Sequence, residues 1–264
     1  MSTTPSREER VSVFRALHEG EPFLIPNPWD AGSARVLEAL GARALATTSS
    51  GFAYTLGRLD GGATRDEVVA HTSALVAASS LPLSVDLENG YGAAAEQAAE
   101  AIRRVAAAGA VGGSIEDWDP DGHLYELPHA VERVAAAAGA ARDVDLVLTA
   151  RAENHIRGNP DLDDTIRRLQ AYEEAGADVL YAPGLRTVDE IRRVCDSVSR
   201  PVNVLAHPGL TFAEAAEAGA QRISVGGALA WVAVGAFAAA AEDALVRGDF
   251  SALGARPALR DWFG

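Results

Sequence analysis

Lysine is absent from the chain. All 23 basic residues are arginines, set against 37 acidic ones, for a formal net charge of −14 over 264 residues. A Schiff-base aldolase or a pyridoxal enzyme needs an amine nucleophile, which only the α-amino group could supply here. A Walker-type phosphate loop needs its lysine as well. Cysteine is nearly absent too: the single Cys195 excludes a disulfide framework and a multi-cysteine zinc site. The acidic balance argues against binding a nucleic-acid backbone. Long hydrophobic runs are also missing. The longest, Ala228 to Ala241, falls short of the ~18 residues that suggest a membrane span, and Glu242 and Asp243 follow at once. The first ten residues carry Pro5, Arg7, Glu8, Glu9 and Arg10 and lack the apolar centre of a signal peptide. The chain is expected to be cytoplasmic, with neither nucleic acid nor membrane as a partner, and residues 1–6 are expected to be disordered.

What is present is an alternation that runs from end to end. Short aliphatic runs occur at Phe23–Pro26, Ala44–Thr47, Leu83–Val85, Gly112–Ile115, Leu146–Thr149, Val179–Tyr181, Val202–Leu205 and Arg222–Val225. Between them lie longer alanine-rich segments with charges at helical spacing. Short apolar runs between amphipathic helices indicate buried parallel strands. Several helices end in Ala-Gly-Ala just before the next strand, as at Gly109 and Gly176, where glycine fits the left-handed position after a helix C-terminus. Eight strand–helix units in about 230 residues match a single α/β domain, a (β/α)8 barrel over residues 1–264. A doubly wound sheet would usually carry a glycine-rich turn after its first strand, and Pro26-Asn27-Pro28-Trp29-Asp30 is not one. An extra helix, Arg7–Glu19, precedes the first strand. The run Ala228–Ala240 is apolar on nearly all sides and is expected to be buried.

In such a barrel, catalytic groups stand where strands end and βα loops begin. Those places are strongly polar here: Asn27, Ser49-Ser50-Gly51, Asp86-Leu87-Glu88, Glu116-Asp117, Arg151, Asn203 and His207. In extended chain Asp86 and Glu88 would share one face, and Glu116 would come from a neighbouring strand about 4.8 Å away. Carboxylates converging in this way repel unless a cation lies between them. An all-oxygen set suits Mg2+ or Mn2+; the plainer alternative is pairing with arginine. Arg151 could grip a substrate carboxylate through its bidentate fork or pair with Glu153 or Glu116. His155 and His207 follow strands and could act as general acids, although such histidines more often simply hydrogen-bond a loop. His18, His71 and His129 read as surface residues, and Cys195 as a small buried group.

With these residues in place, the chain resembles the isocitrate lyase/phosphoenolpyruvate mutase superfamily. The likeness runs from Asn27-Pro28-Trp29-Asp30 to Ser224-Val225-Gly226-Gly227. Its most specific piece is Val85-Asp86-Leu87-Glu88-Asn89-Gly90-Tyr91-Gly92. Supporting pieces are Ser50-Gly51, Leu56-Gly57-Arg58-Leu59-Asp60, Ile115-Glu116-Asp117, Ala150-Arg151 and Val202-Asn203-Val204. The resemblance implies a Mg2+-dependent enzyme acting on 2-oxo acids through an enolpyruvate-type intermediate. By that analogy Asp86 holds the metal, with Glu88 and Glu116 beside it. Asp60 stands near the reacting end of the substrate. Ser50, Gly51 and Phe52 give backbone contacts to its carboxylate, Arg151 lies on the other side, and Asn203 touches substrate. The resemblance also implies a homo-oligomer, a dimer or tetramer, whose last helix exchanges between subunits.

The departures narrow the chemistry. The lyase branch carries a catalytic cysteine in a lysine-rich loop after the fourth strand, where this chain reads Glu116-Asp117-Trp118-Asp119-Pro120-Asp121-Gly122-His123-Leu124. The mutase branch places a lysine and an asparagine in that loop and a histidine after the sixth strand, where Tyr181-Ala182-Pro183-Gly184 stands here. Decarboxylation or hydrolytic C–C cleavage of an oxaloacetate-like 2-oxo acid asks for less machinery, with Asp60, His123, Tyr181 or water supplying the proton. The alternatives are phosphoenolpyruvate mutase or phosphonopyruvate hydrolase-type P–C chemistry, and a non-catalytic 2-oxo-acid-binding protein.

Overall fold

The computed structural model describes residues 5–254 and 258–263. The disorder expected for residues 1–4 therefore lies outside the described residues. Ser6, by contrast, caps the helix Arg7–Glu19: its hydroxyl accepts from the Glu9 amide, and its own amide donates to the Glu9 carboxylate. That reciprocal arrangement satisfies two of the helix's free donors.

Ten strands form among the described residues. They are β1 (Phe23–Ile25), β2 (Leu45–Ala46), β3 (Leu83–Asp86), β4 (Gly112–Glu116), β5 (Trp118–Asp119), β6 (His123–Leu124), β7 (Val147–Arg151), β8 (Val179–Tyr181), β9 (Val202–Leu205) and β10 (Arg222–Ser224). Eight of them make one parallel sheet in the order β1-β10-β9-β8-β7-β4-β3-β2. A hydrogen bond from the Ala46 amide to the Pro26 carbonyl, 3.1 Å, draws the two edges together. The result is a nearly closed (β/α)8 barrel, with its eight strands where the aliphatic runs stand. The remaining pair, β5 and β6, is a small antiparallel hairpin above the barrel, in the segment read from sequence as an acidic loop.

The N-terminal helix plugs the bottom of the barrel. Val11, Phe14 and Leu17 bury their side chains against Phe23, Ile25, Ala44, Val111, Val147 and Val179. Removing each large aliphatic or aromatic side chain from water is worth roughly 1.5–3 kcal/mol. His18, on the same helix, is not the surface residue expected. It packs edge-on against Phe14 and Phe23.

The last helix, Ala228–Glu242, departs most from expectation. Only Ala230 on it is buried; Trp231 is 47% exposed, Val232 69% and Phe237 68%. Its composition demands burial, but the helix projects away from its own barrel. It leaves an apolar groove lined by Leu24, Leu37, Leu40, Phe212, Val225 and Leu229. Helical conformation also continues to Arg247, so Ala228–Arg247, 20 residues, is long and apolar enough to cross a membrane. The sequence estimate was shorter because it stopped at the first acids.

Candidate active site

The C-terminal ends of β3, β4 and β7 converge on one guanidinium. Arg151 ends β7, and the parallel register sets it beside Glu116 at the end of β4. Its Nη1 donates to Asp86 Oδ1 at 2.8 Å, its Nη2 lies 3.0 Å from Glu116 Oε2, and its Nε and Nη2 donate to Glu153 Oε1 at 3.0 and 2.8 Å. Burial opposes the charge on Arg151, but the Glu153, Glu116 and Asp86 carboxylates more than offset it and hold the guanidinium well above its ordinary range. Burial pushes Glu116 and Glu153 upward, with Arg151 working in the other direction.

A second cation, Arg157, missed in the sequence reading, completes the cluster. Its guanidinium is 3.3 Å from both Glu116 Oε1 and Glu153 Oε2 and lies over the Trp118 ring at 4.7 Å. The available signal was an arginine in the segment just after β7. Beneath the cluster, Asp117 anchors the hairpin. It accepts from Arg168 at 3.0 Å, from the Tyr172 hydroxyl at 2.5 Å and from the Glu153 amide at 2.8 Å.

Glu88 does not continue the strand, as the sequence spacing had assumed. Its φ is +49°, a left-handed conformation that costs a residue with a Cβ on the order of 1–3 kcal/mol. Its amide donates to Asp86 Oδ1 at 3.3 Å, and its carbonyl accepts from the Glu116 amide at 2.8 Å. Among the described residues its carboxylate makes no ion pair within 4 Å. Burial first, then the Asp86 and Asp60 carboxylates, push it up to about 7.

Two adjoining cavities open here, with Ser49, Asp60 and Arg151 bordering both. One, of about 180 Å³, descends into the barrel past Asp86, Tyr181, Asn203 and Arg222. The other, of about 310 Å³, is walled by Glu88, Glu116, Trp118 and Arg157. Asp60 is exposed at their rim. Asn203 is buried, donating to Ser224 Oγ at 3.0 Å.

Ser50, Gly51 and Phe52 lie in a short helix, Ser49–Thr55, capped by Thr48. The Gly51 amide donates to Thr48 Oγ1 at 3.3 Å and the Phe52 amide to the Thr48 carbonyl at 3.0 Å. Two of the three amides expected to face a carboxylate are thus engaged within their own helix. Ser50 lines the inner cavity, while Phe52 stacks on His71, ring centroids 3.9 Å apart. His155 and His207 border neither cavity.

Among the described residues, no group of three or more His, Cys, Asp or Glu side chains is arranged as a ready metal cage. Four carboxylates (Asp86, Glu88, Glu116 and Glu153) nevertheless share this centre with two guanidiniums, Arg151 and Arg157. The uncompensated Glu88 faces the outer cavity. A divalent cation fits that surplus of negative charge, and Mg2+ commonly takes only one or two protein carboxylates beside water and substrate.

Comparison with known proteins places the chain. Residues 14–245 match the family model described as phosphoenolpyruvate phosphomutase. An uncharacterised protein of Mycobacterium tuberculosis is 34% identical over 211 residues, covering 79% of each chain. The 2-methylisocitrate lyase of Escherichia coli K12 is 32% identical over 202 residues, covering 72% of this chain and 67% of the lyase. A crystal structure from Burkholderia cenocepacia J2315, provisionally assigned as a lyase or mutase, superposes with a TM-score of 0.93 at 49% identity, covering 98% of this chain and 96% of that one. The chain belongs to the phosphoenolpyruvate phosphomutase family, within the isocitrate lyase/phosphoenolpyruvate mutase superfamily. That superfamily holds C–C lyases and P–C mutases and hydrolases.

Proposed function

We propose that this protein is a Mg2+-dependent enzyme that cleaves a C–C bond of a small, oxaloacetate-like 2-oxo acid. The observation that carries the reading is the cluster of acids around Arg151 at the strand ends. It leaves Glu88 uncompensated on the outer cavity, which leads to an inner cavity too small for a large ligand. At about 180 Å³ the inner cavity is below the ~300 Å³ at which sites for drug-sized molecules begin.

Asp86, Glu88 and Glu116 would hold Mg2+ or Mn2+ together with water and substrate oxygens. The bound metal supplies Lewis-acid polarisation of the 2-oxo group, an effect worth several kcal/mol. Arg151, kept cationic and immobile by three carboxylates, stabilises negative charge as it develops at the 2-oxo end. Ser50 orients the substrate carboxylate, and Asn203 contacts the buried end. Asp60, at the rim, holds and moves the proton that ends the reaction. The hairpin Trp118–Leu124 brings neither the cysteine nor the lysine of better-known branches, which favours cleavage without an added acid group over isocitrate-type chemistry. The chain acts as one barrel domain in the cytoplasm. The exposed final helix, and the apolar groove it leaves on its own barrel, support a homo-oligomer in which that helix packs on a second copy.

The test is incubation with Mg2+ and a panel of oxaloacetate, phosphonopyruvate and 2-methylisocitrate, with pyruvate and oxalate released above a protein-free Mg2+ control as the readouts. Release from oxaloacetate alone is the expected result. Release from phosphonopyruvate alone would move the enzyme to P–C chemistry, and release from none would overturn the reading.

A further inference from the structure

Arg222 stands in an otherwise uncharged strand, Arg222-Ile223-Ser224, and is only 5% exposed. Nothing in the acid cluster above reaches it. Its Nε donates to Asn203 Oδ1 at 2.8 Å and its Nη2 to Thr149 Oγ1 at 3.0 Å, and its Nη1 lies 3.3 Å from His18 Nε2. His18 Nδ1 is 2.8 Å from the Phe14 carbonyl, so that nitrogen carries the proton and Nε2 offers its lone pair to Arg222. Every partner is therefore neutral, and among the described residues no carboxylate lies within 4 Å of this guanidinium. Burial lowers Arg222 to about 10, which leaves it charged at neutral pH.

A buried cation without a counter-charge costs several kcal/mol. Three other buried arginines are relieved on the spot. Arg151 and Arg168 meet carboxylates, and Arg133 is surrounded by the carbonyls of Asn89, Gly92 and Ala93 and borders neither cavity. Arg10, on the N-terminal helix, has no carboxylate within 4 Å among the described residues and an unpartnered Nε, but borders neither cavity. Arg222 differs in combining the two features: it lacks a carboxylate partner and it lines the inner cavity, together with Asn203, Ser224 and Tyr181. Its depth is fixed by Thr149, which lies two residues before Arg151 on one face of β7, so Arg222 sits one layer, about 7 Å, below the Arg151 level.

We propose that Arg222, with Asn203 and Ser224 beside it, receives a second anionic group of the substrate, the distal carboxylate of a 2-oxo dicarboxylic acid. The substrate then spans the cavity from the acid–arginine cluster at its mouth to Arg222 at its floor. This inference rests on the reading of the cavity as a 2-oxo-acid site and adds the substrate's second charge to it. The unpaired charge is stored in the free protein and neutralised on binding, so diacids gain over monoacids of equal length.

The test is calorimetric titration, with Mg2+ present, of the wild type, Arg222→Gln and Arg222→Lys. The probes are oxalate, which reaches only the mouth, 2-oxobutyrate as the monoacid, and malate and 2-oxoglutarate as diacids that the proposed cleavage of oxaloacetate does not consume. The wild type should bind one of the diacids at least tenfold more tightly than 2-oxobutyrate. Arg222→Gln should lose that preference and keep its oxalate affinity within twofold, and Arg222→Lys should retain part of the preference. If Arg222→Gln does not fold, the wild-type preference and the lysine variant still decide the matter. Wild-type binding of oxalate without any preference for a diacid overturns this proposal alone, as does equal loss of oxalate and diacid in the variants. Failure of the wild type to bind oxalate removes the site reading and this inference with it.

Discussion

Replacing Arg151 with methionine, which keeps much of the volume but not the charge, should damage stability before it damages anything else. The guanidinium is within 3.0 Å of three largely buried carboxylates. Removing one partner of a buried ion pair typically costs 3–5 kcal/mol, and here three acids lose theirs together, with only Arg157 left to share. Domains are stable by only about 5–15 kcal/mol in total, so Arg151→Met should use up a large part of that margin. The pH dependence has a definite sign. Glu116 and Glu153 sit above their ordinary range when folded. Such acids hold their protons more tightly in the native state, so ionising them destabilises the fold progressively as pH rises above the unfolded value of about 4.3. Without Arg151 that burden grows. Urea denaturation followed by circular dichroism should show a loss of at least about 3 kcal/mol at pH 8 and a distinctly smaller one at pH 5. A loss below about 1 kcal/mol at pH 8, or equal losses at both pH values, would show that the cluster is not held together as described.

Three further outcomes follow from the same geometry. Asp117→Asn weakens the contacts to Arg168 and Tyr172 under the hairpin and should cost roughly 3–5 kcal/mol, with amide exchange rising first in Trp118–Leu124; unchanged exchange there would contradict the anchoring role. His18 is held down to about 3 by burial and Arg222, so its neutral form contributes stability that is complete above pH 6.5 and lost as pH falls. Between pH 6.5 and 5 the loss is about 2 kcal/mol, and His18→Gln should flatten that slope in thermal melts. Phe237→Asp, on the exposed face of the final helix, should convert an oligomer to a monomer by light scattering without unfolding the barrel, and an unchanged mass would place the interface elsewhere.

All eight barrel strands were legible because short aliphatic runs such as Leu146–Thr149 and Val202–Leu205 are buried on both faces. The acids after β3 and β4 were legible because the barrel puts strand ends together. Three features were not. The left-handed turn at Glu88 depends on backbone hydrogen bonds to Asp86 and Glu116, which no side-chain period reveals. The helix Ser49–Thr55 is short and made by the Thr48 cap, so it read as a loop. The final helix is apolar all round, which says that it must be covered but not by which barrel. Arg222 passed in the sequence as the first residue of an aliphatic run, and its isolation from every carboxylate among the described residues is a three-dimensional fact.

The central claim is C–C cleavage of a 2-oxo acid at the Arg151 centre. Its most direct measurement is a ¹³C NMR time course of labelled oxaloacetate with Mg2+, for wild type, Arg151→Met and a protein-free Mg2+ control. The account predicts C–C cleavage products well above the metal-only rate in the wild type, and a rate at the control level for the variant and after chelation. A wild-type rate no faster than Mg2+ alone would contradict it.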